Sequence, residues 1–220
     1  VDDAGMIDYP SVWRAVPMGA SACVALPVTL DLPAKILQRL GATSETQKTI
    51  TSQLQGPAGL CWYPESRLYT PLIVTSLVQG DHHALDAAAA DLFEKSVGSY
   101  EANAPEDRFA VQVKNQGDGT RWMRTVGSSF GQYAAERLAD PAQLASAGFF
   151  NVTLARAGDT LMFSLDDTLV DQAFATHEKR YPPLMDALPK DASVPVYIAP
   201  EKLAPLFRAE ALHSLPREVE

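Results

Sequence analysis

Basic charge, histidine and cysteine are all scarce in this chain of 220 residues. Lys and Arg number 18 against 27 Asp and Glu, for a net charge of -9. A nucleic-acid backbone needs a basic patch, and none appears, so nucleic acid is excluded as a partner. No apolar run approaches the ~20 residues a membrane helix requires. The best runs, 22–30 and 71–78, are short, and Pro27 interrupts the first. The chain starts at Val1 without a signal-peptide pattern, so it reads as an excised or processed piece whose anchor or targeting signal lies elsewhere. The two cysteines, Cys23 and Cys61, form no C-x-x-C pair of metal or redox type. Two buried free thiols acting as small hydrophobes and a disulfide in an oxidising compartment both fit.

What is present is ordinary globular material. Hydrophobic residues make up 46% and charged residues 20%, enough to bury a core and to exclude disorder of the whole. Residues 1–220 read as a single domain.

The pattern alternates strands and helices. A short helix fits Ser11–Ala15, and Ser21–Val28 reads as an apolar strand. Asp31 caps a helix over Leu32–Leu40 with Pro33 in its first turn, and Gly41 ends it. Ser44-Glu45-Thr46-Gln47 matches a capping box for a helix to Leu54, and Gly56-Pro57 breaks it. A hairpin follows, with strands at 59–63 and 68–78 around Pro64-Glu65-Ser66. Asp81 caps a helix over 82–97, whose Leu85, Ala88, Ala89, Leu92 and Phe93 fall on one face. Gly117-Asp118-Gly119 and Ala157-Gly158-Asp159 are hairpin turns, joining 109–114 to 120–126 and 150–156 to 160–164. Asp166 or Asp167 caps a helix to Tyr181, Val194–Ala199 is a strand, and Pro200 opens the last helix. The stretches near 98–107 and 127–147 read as loops, the second with a short helix near 133–138. Hairpins between strand–helix units predict an α+β fold: a mixed or antiparallel sheet with amphipathic helices packed mainly on one face.

Four groups carry possible chemistry. Gly19-Ala20-Ser21-Ala22-Cys23 resembles the start of a nucleophile elbow, but Cys23 replaces the second glycine and Ser21 precedes the strand rather than following it. A loop entering a strand explains it better. On a helix, His82 and Asp86 share a face beside Asp81 and His83, as in some metal sites; with four histidines in all, a polar helix start is the simpler reading. Asp166, Asp167 and Asp171 could do acid–base work, but aspartates gather at helix N-termini for capping and dipole reasons alone. Arg121, Trp122 and Arg124 lie on one strand. An exposed Trp–Arg pair suits a protein interface, and a core tryptophan with snorkelling arginines competes with it. No catalytic residue, cofactor site or metal site is assigned.

Several segments together resemble a known family. They are Ala15-Val16-Pro17-Met18-Gly19-Ala20-Ser21-Ala22-Cys23-Val24-Ala25-Leu26-Pro27, the hairpin from Gly59 to Leu72, and Arg124-Thr125-Val126-Gly127-Ser128. Val152-Thr153-Leu154-Ala155-Arg156, Met162-Phe163-Ser164-Leu165-Asp166-Asp167 and Lys179-Arg180-Tyr181-Pro182-Pro183-Leu184 belong with them. The chain resembles the C-terminal part of a family of uncharacterised bacterial envelope proteins encoded beside thioester-lacking alpha-2-macroglobulin-like proteins. The resemblance implies a periplasmic location, anchored to the inner membrane through a segment not present here. It implies protein partners, among them an alpha-2-macroglobulin-like protease trap, and it adds weight to a Cys23–Cys61 disulfide. It supplies no catalytic residues. The expected function is a non-catalytic accessory or scaffold domain. An envelope hydrolase and a small-ligand or peptide binder are the alternatives.

Overall fold

Alternation of side chains along eight short strands builds one sheet and gives it two apolar faces. The fold is seen in a computed structural model, which describes residues 9–28, 31–97, 110–127, 149–189 and 193–214. In chain order the elements are α1 (Tyr9–Ala15), β1 (Ala22–Leu26), α2 (Asp31–Arg39), α3 (Ser44–Thr51), β2 (Leu54–Trp62), β3 (Leu72–Leu77), α4 (His83–Lys95), β4 (Gln112–Gln116), β5 (Gly119–Gly127), β6 (Phe149–Ala157), β7 (Thr160–Ser164), α5 (Asp167–His177), β8 (Val196–Ile198) and α6 (Pro200–Ser214). A short 3₁₀ turn, Leu184–Ala187, lies between α5 and β8. The strands form one open sheet in the order β4-β5-β6-β7-β3-β2-β1-β8. Every pairing is antiparallel. The fold is α+β, as the alternation of hairpins and amphipathic segments predicts. The expected loop near 98–107, most of that near 127–147 and the helix near 133–138 lie outside the described residues.

The register fixes what each face carries. On one face, Ala25, Gly59, Val74, Met162 and Ala155 stand in a row across five strands. Helices α1 and α5 and the 3₁₀ turn cover it, burying Val12, Trp13, Val170, Phe174 and Leu184. On the other face, Leu77, Trp122, Val126, Val152, Leu154 and Leu161 meet Leu37, Ile50, Leu85, Ala89, Leu92 and Phe93 from α2, α3 and α4. The expectation placed the helices mainly on one face. The structure divides them between two, because helical periodicity says which residues are buried together and not which side of a sheet receives them.

Local signals set most boundaries, although β3 begins at Leu72 rather than at 68 and His82, not Asp81, is the N-cap of α4; three further shifts have local causes. Thr43, not Ser44, is the N-cap of α3: its side chain accepts from the Thr46 N–H at 3.2 Å. Gly56-Pro57 does not end a helix but sits inside β2, where the register with β3 shifts between Gln55 and Ala58. A strand can admit a glycine at positive φ and a proline at such a bulge. Helix α5 stops at His177 rather than Tyr181, since Lys179 adopts a φ of 59° and turns the chain without a glycine.

Candidate functional site

The polar side chains singled out by sequence are scattered over the fold, and most are held by a partner. Ser21 is fully buried at the start of β1, and its hydroxyl donates to the Lys202 carbonyl of α6 at 2.9 Å. Its own carbonyl accepts from the Ala199 N–H at 2.9 Å, so Ser21 fastens α6 to the sheet.

Asp166 is the N-cap of α5, accepting from the Thr168 N–H at 3.0 Å and from its hydroxyl at 2.6 Å. Asp167 accepts from the Asn151 amide at 2.9 Å and from Arg121 at 3.4 Å. Asp171 lies 3.0 Å from Arg121 Nε, a charge contact off the hydrogen-bonding direction. The three carboxylates cap α5 and pin it to β5 and β6.

Arg121, Trp122 and Arg124 split as strand alternation requires. Arg121 faces α5. Trp122 is 2% exposed and packs under α4, and Arg124, itself buried, donates to the Phe93, Glu94 and Val97 carbonyls at the end of α4. A guanidinium there satisfies carbonyls that a helix end leaves without partners. The structure therefore places Trp122 and Arg124 in the interior, not on an exposed strand face.

Asp81, His82 and Asp86 diverge. Asp81 accepts from the His83 N–H at 2.9 Å, on the surface. His82, 7% exposed, meets Asp159 of the β6–β7 turn, Nε2 to Oδ1 at 2.7 Å, and its Nδ1 is buried with no hydrogen-bond partner. Asp86 accepts two bonds from Arg156, each 2.7 Å, and Arg156 also donates to the Asp118 and Gly158 carbonyls. Asp86 and the carboxylates beyond it hold the Arg156 proton above its ordinary range, against the opposing effect of burial. This is a knot of charge tying α4 to two turns. Among the described residues no group of three or more His, Cys, Asp or Glu is placed to hold a metal ion. Sequence reading missed the knot because Arg156 and Asp159 lie 70 and 77 residues from their partners.

Cys23 and Cys61 stand directly opposite each other on β1 and β2 and are joined by a disulfide. Both are buried, in the core under α1. Tyr63, just beyond Cys61, donates to the Pro17 carbonyl at 2.8 Å. Burial, and then the neighbouring Tyr181, push its phenol well above the ordinary tyrosine value.

Two concavities among the described residues bear on function. One is a broad polar groove between α1 and the end of α5, with Arg14, His177, Lys179, Arg180 and Asp186 on its walls. The other is an apolar cavity of about 90 Å³ between α2, α3 and the sheet, walled by Leu37, Ile50, Leu60, Ile73, Phe163 and Thr75 among others. Thr75 Oγ1 is buried there without a hydrogen-bond partner. Neither concavity gathers a nucleophile, a base and an oxyanion-stabilising pair.

Comparison with known proteins gives a consistent answer. The family model described as "Uncharacterized protein conserved in bacteria (DUF2138)" matches residues 2–220. The uncharacterized protein YfaA of Escherichia coli K12 is 42% identical over 214 residues, covering 97% of this chain and 37% of the relative. The chain thus spans little more than a third of the length of that curated relative. No solved structure matches.

Proposed function

Since the chain belongs to the DUF2138 family of uncharacterised bacterial proteins, we propose that it is a non-catalytic accessory or scaffold domain of the bacterial envelope that works in a protein complex. The observation that carries this reading is the use made of its polar residues. Ser21 fastens α6. Asp166, Asp167 and Asp171 cap and pin α5, and Asp86 and His82 join α4 to the turns of the sheet. Side chains of catalytic type are spent on architecture, which is how a scaffold uses them. The buried disulfide supports a compartment where thiols oxidise, and the periplasm is the one proposed, with an inner-membrane anchor carried elsewhere in the protein.

The proposed partner is a thioester-lacking alpha-2-macroglobulin-like protein. Size-exclusion chromatography of the purified full-length family protein with that partner tests the reading, and the two are expected to elute together. Separate elution at micromolar concentrations overturns the partnership. For the compartment, protein prepared from the periplasm without reductant is expected to show no reactive thiol after unfolding. Two free thiols there would remove the disulfide, and with it the support it lends to the location.

A further inference from the structure

The sheet carries an unfinished surface. Following the register across all eight strands on the α2–α4 side gives Val196, Val24, Leu60, Ile73, Phe163, Leu154, Trp122 and Val113, one residue per strand and every one apolar. Over β6 and β5, α4 does what such a row requires, leaving Leu154 at 6% and Trp122 at 2% exposed, and only the edge residue Val113 stands open at 55%. Toward the other end the cover fails. Phe163, Ile73, Leu60 and Val24 are only partly buried, Val196 is 50% exposed, and Ile198, on the same face of β8, is 54% exposed. The small apolar cavity opens in this half, beside Leu60, Ile73 and Phe163. Solvated antiparallel faces ordinarily alternate to polar residues, and on this side β4 does so only at Asn115, next to the exposed Val113. A contiguous apolar half-face with a cavity in it has the composition of a buried interface core.

We propose that this half-face, from β8 to β7, is the seat of polypeptide that the longer family members carry outside the region spanned here, which packs on it and sets an apolar side chain into the cavity beside Thr75. Two observations select this occupant. The curated relative has almost two thirds of its length outside the matched region, so such polypeptide exists in that protein. The cavity is also smaller than the ~150 Å³ dry hole that accepts benzene, so it suits part of one side chain rather than a free lipid or cofactor. The proposal stands apart from the partnership suggested above, since a domain can hold its own chain whatever else it binds.

Thiol accessibility tests it, because the native cysteines are bonded to each other and buried. Cysteine is placed at Val196, Ile198 or Val113 in this chain, and at the aligned positions in full-length YfaA, and maleimide labelling rates are measured without reductant. Circular dichroism melting confirms that each variant is folded. In the 220-residue chain all three positions are expected to label quickly. In the full-length protein, Val196→Cys and Ile198→Cys are expected to slow by tenfold or more, while Val113→Cys, at the opposite edge and 55% exposed, keeps its rate. Unchanged rates at Val196→Cys and Ile198→Cys overturn the proposal. So does protection already present in the short chain that grows with concentration, with a doubled mass by light scattering, since the occupant is then a second copy. Protection that appears only on adding a small apolar compound to the full-length protein assigns the face to a ligand and equally overturns it.

Discussion

At the scale of single residues, two positions carry consequences out of proportion to their size. Gly59 lies in β2 directly under α1: a Cβ built there falls 2.6 Å from Val12 Cγ1 and 3.4 Å from Val16 Cγ2. Val12 is a β-branched side chain with one strongly preferred rotamer, on a helix already held by the fully buried Trp13, so it gives way only at a cost. Gly59→Ala is expected to lower stability by about 1–3 kcal/mol, read as a lower urea midpoint at unchanged slope; a variant as stable as the parent would mean that α1 is not seated on β2. Tyr63 is the second position. Its phenol is held protonated in the fold by burial and by Tyr181, above the ordinary value of 10.0 at which it ionises once unfolded. A raised acid of this kind stabilises fully below the unfolded value and loses that contribution as pH climbs toward the folded one. Stability should therefore fall above pH 10, by about 1.4 kcal/mol per pH unit for this one group. Tyr63→Phe gives up the bond to Pro17, about 1 kcal/mol at neutral pH, and removes that alkaline slope. Urea melts of the two proteins at pH 7 and pH 11 should show the difference between them shrinking or reversing at the higher pH. A constant difference would mean that Tyr63 ionises in the folded protein as it does in the unfolded one.

At the scale of elements, the bond between Asp86 and Arg156 is one of the polar ties of α4 to the sheet, beside those of Arg124 and His82. It has two 2.7 Å hydrogen bonds, and its side chains are only 23% and 12% exposed. A double-mutant cycle over Asp86→Ala and Arg156→Ala should return a coupling of about 1–3 kcal/mol, above the range of an exposed pair. A coupling below ~0.5 kcal/mol would reduce it to a surface contact. The elements themselves were largely legible in the sequence. The stripe of α4, a cap at Asp166 or Asp167 and the turns at Gly117-Asp118-Gly119 and Ala157-Gly158-Asp159 are short-range signals, complete within a few residues. What was not legible depends on longer range. Lys179 ends α5 in a left-handed conformation that composition does not announce. Gly56-Pro57 breaks a helix in sequence terms, yet the pairing with β3 absorbs it as a bulge. The partners of His82 and Asp86 come from β6 and its turn, so proximity on α4 suggested a shared site where the sheet pulls the two side chains to different tasks.

At the scale of the whole molecule, the disulfide joins strands that the sheet already pairs. Cys23 and Cys61 are register partners, so in the folded state the bond adds little that the ladder lacks. Its effect falls on the unfolded chain. It closes a loop across a separation of 38 residues that holds α2 and α3 entire, and denies the unfolded state the freedom to separate those ends. Chain-entropy reasoning puts that at roughly 4 kcal/mol, against the 5–15 kcal/mol over which domains are ordinarily stable. Because both sulfurs sit in the core under α1, reductant should act slowly on the native protein. Complete reduction then requires unfolding first and refolding in reductant. Protein handled this way is expected to unfold at a clearly lower urea midpoint than the oxidised form, and a Cys23→Ala, Cys61→Ala variant should ignore reductant altogether. Equal midpoints for oxidised and reduced protein, with two free thiols counted in the latter, would show that the β1–β2 connection keeps its ends together even when unfolded.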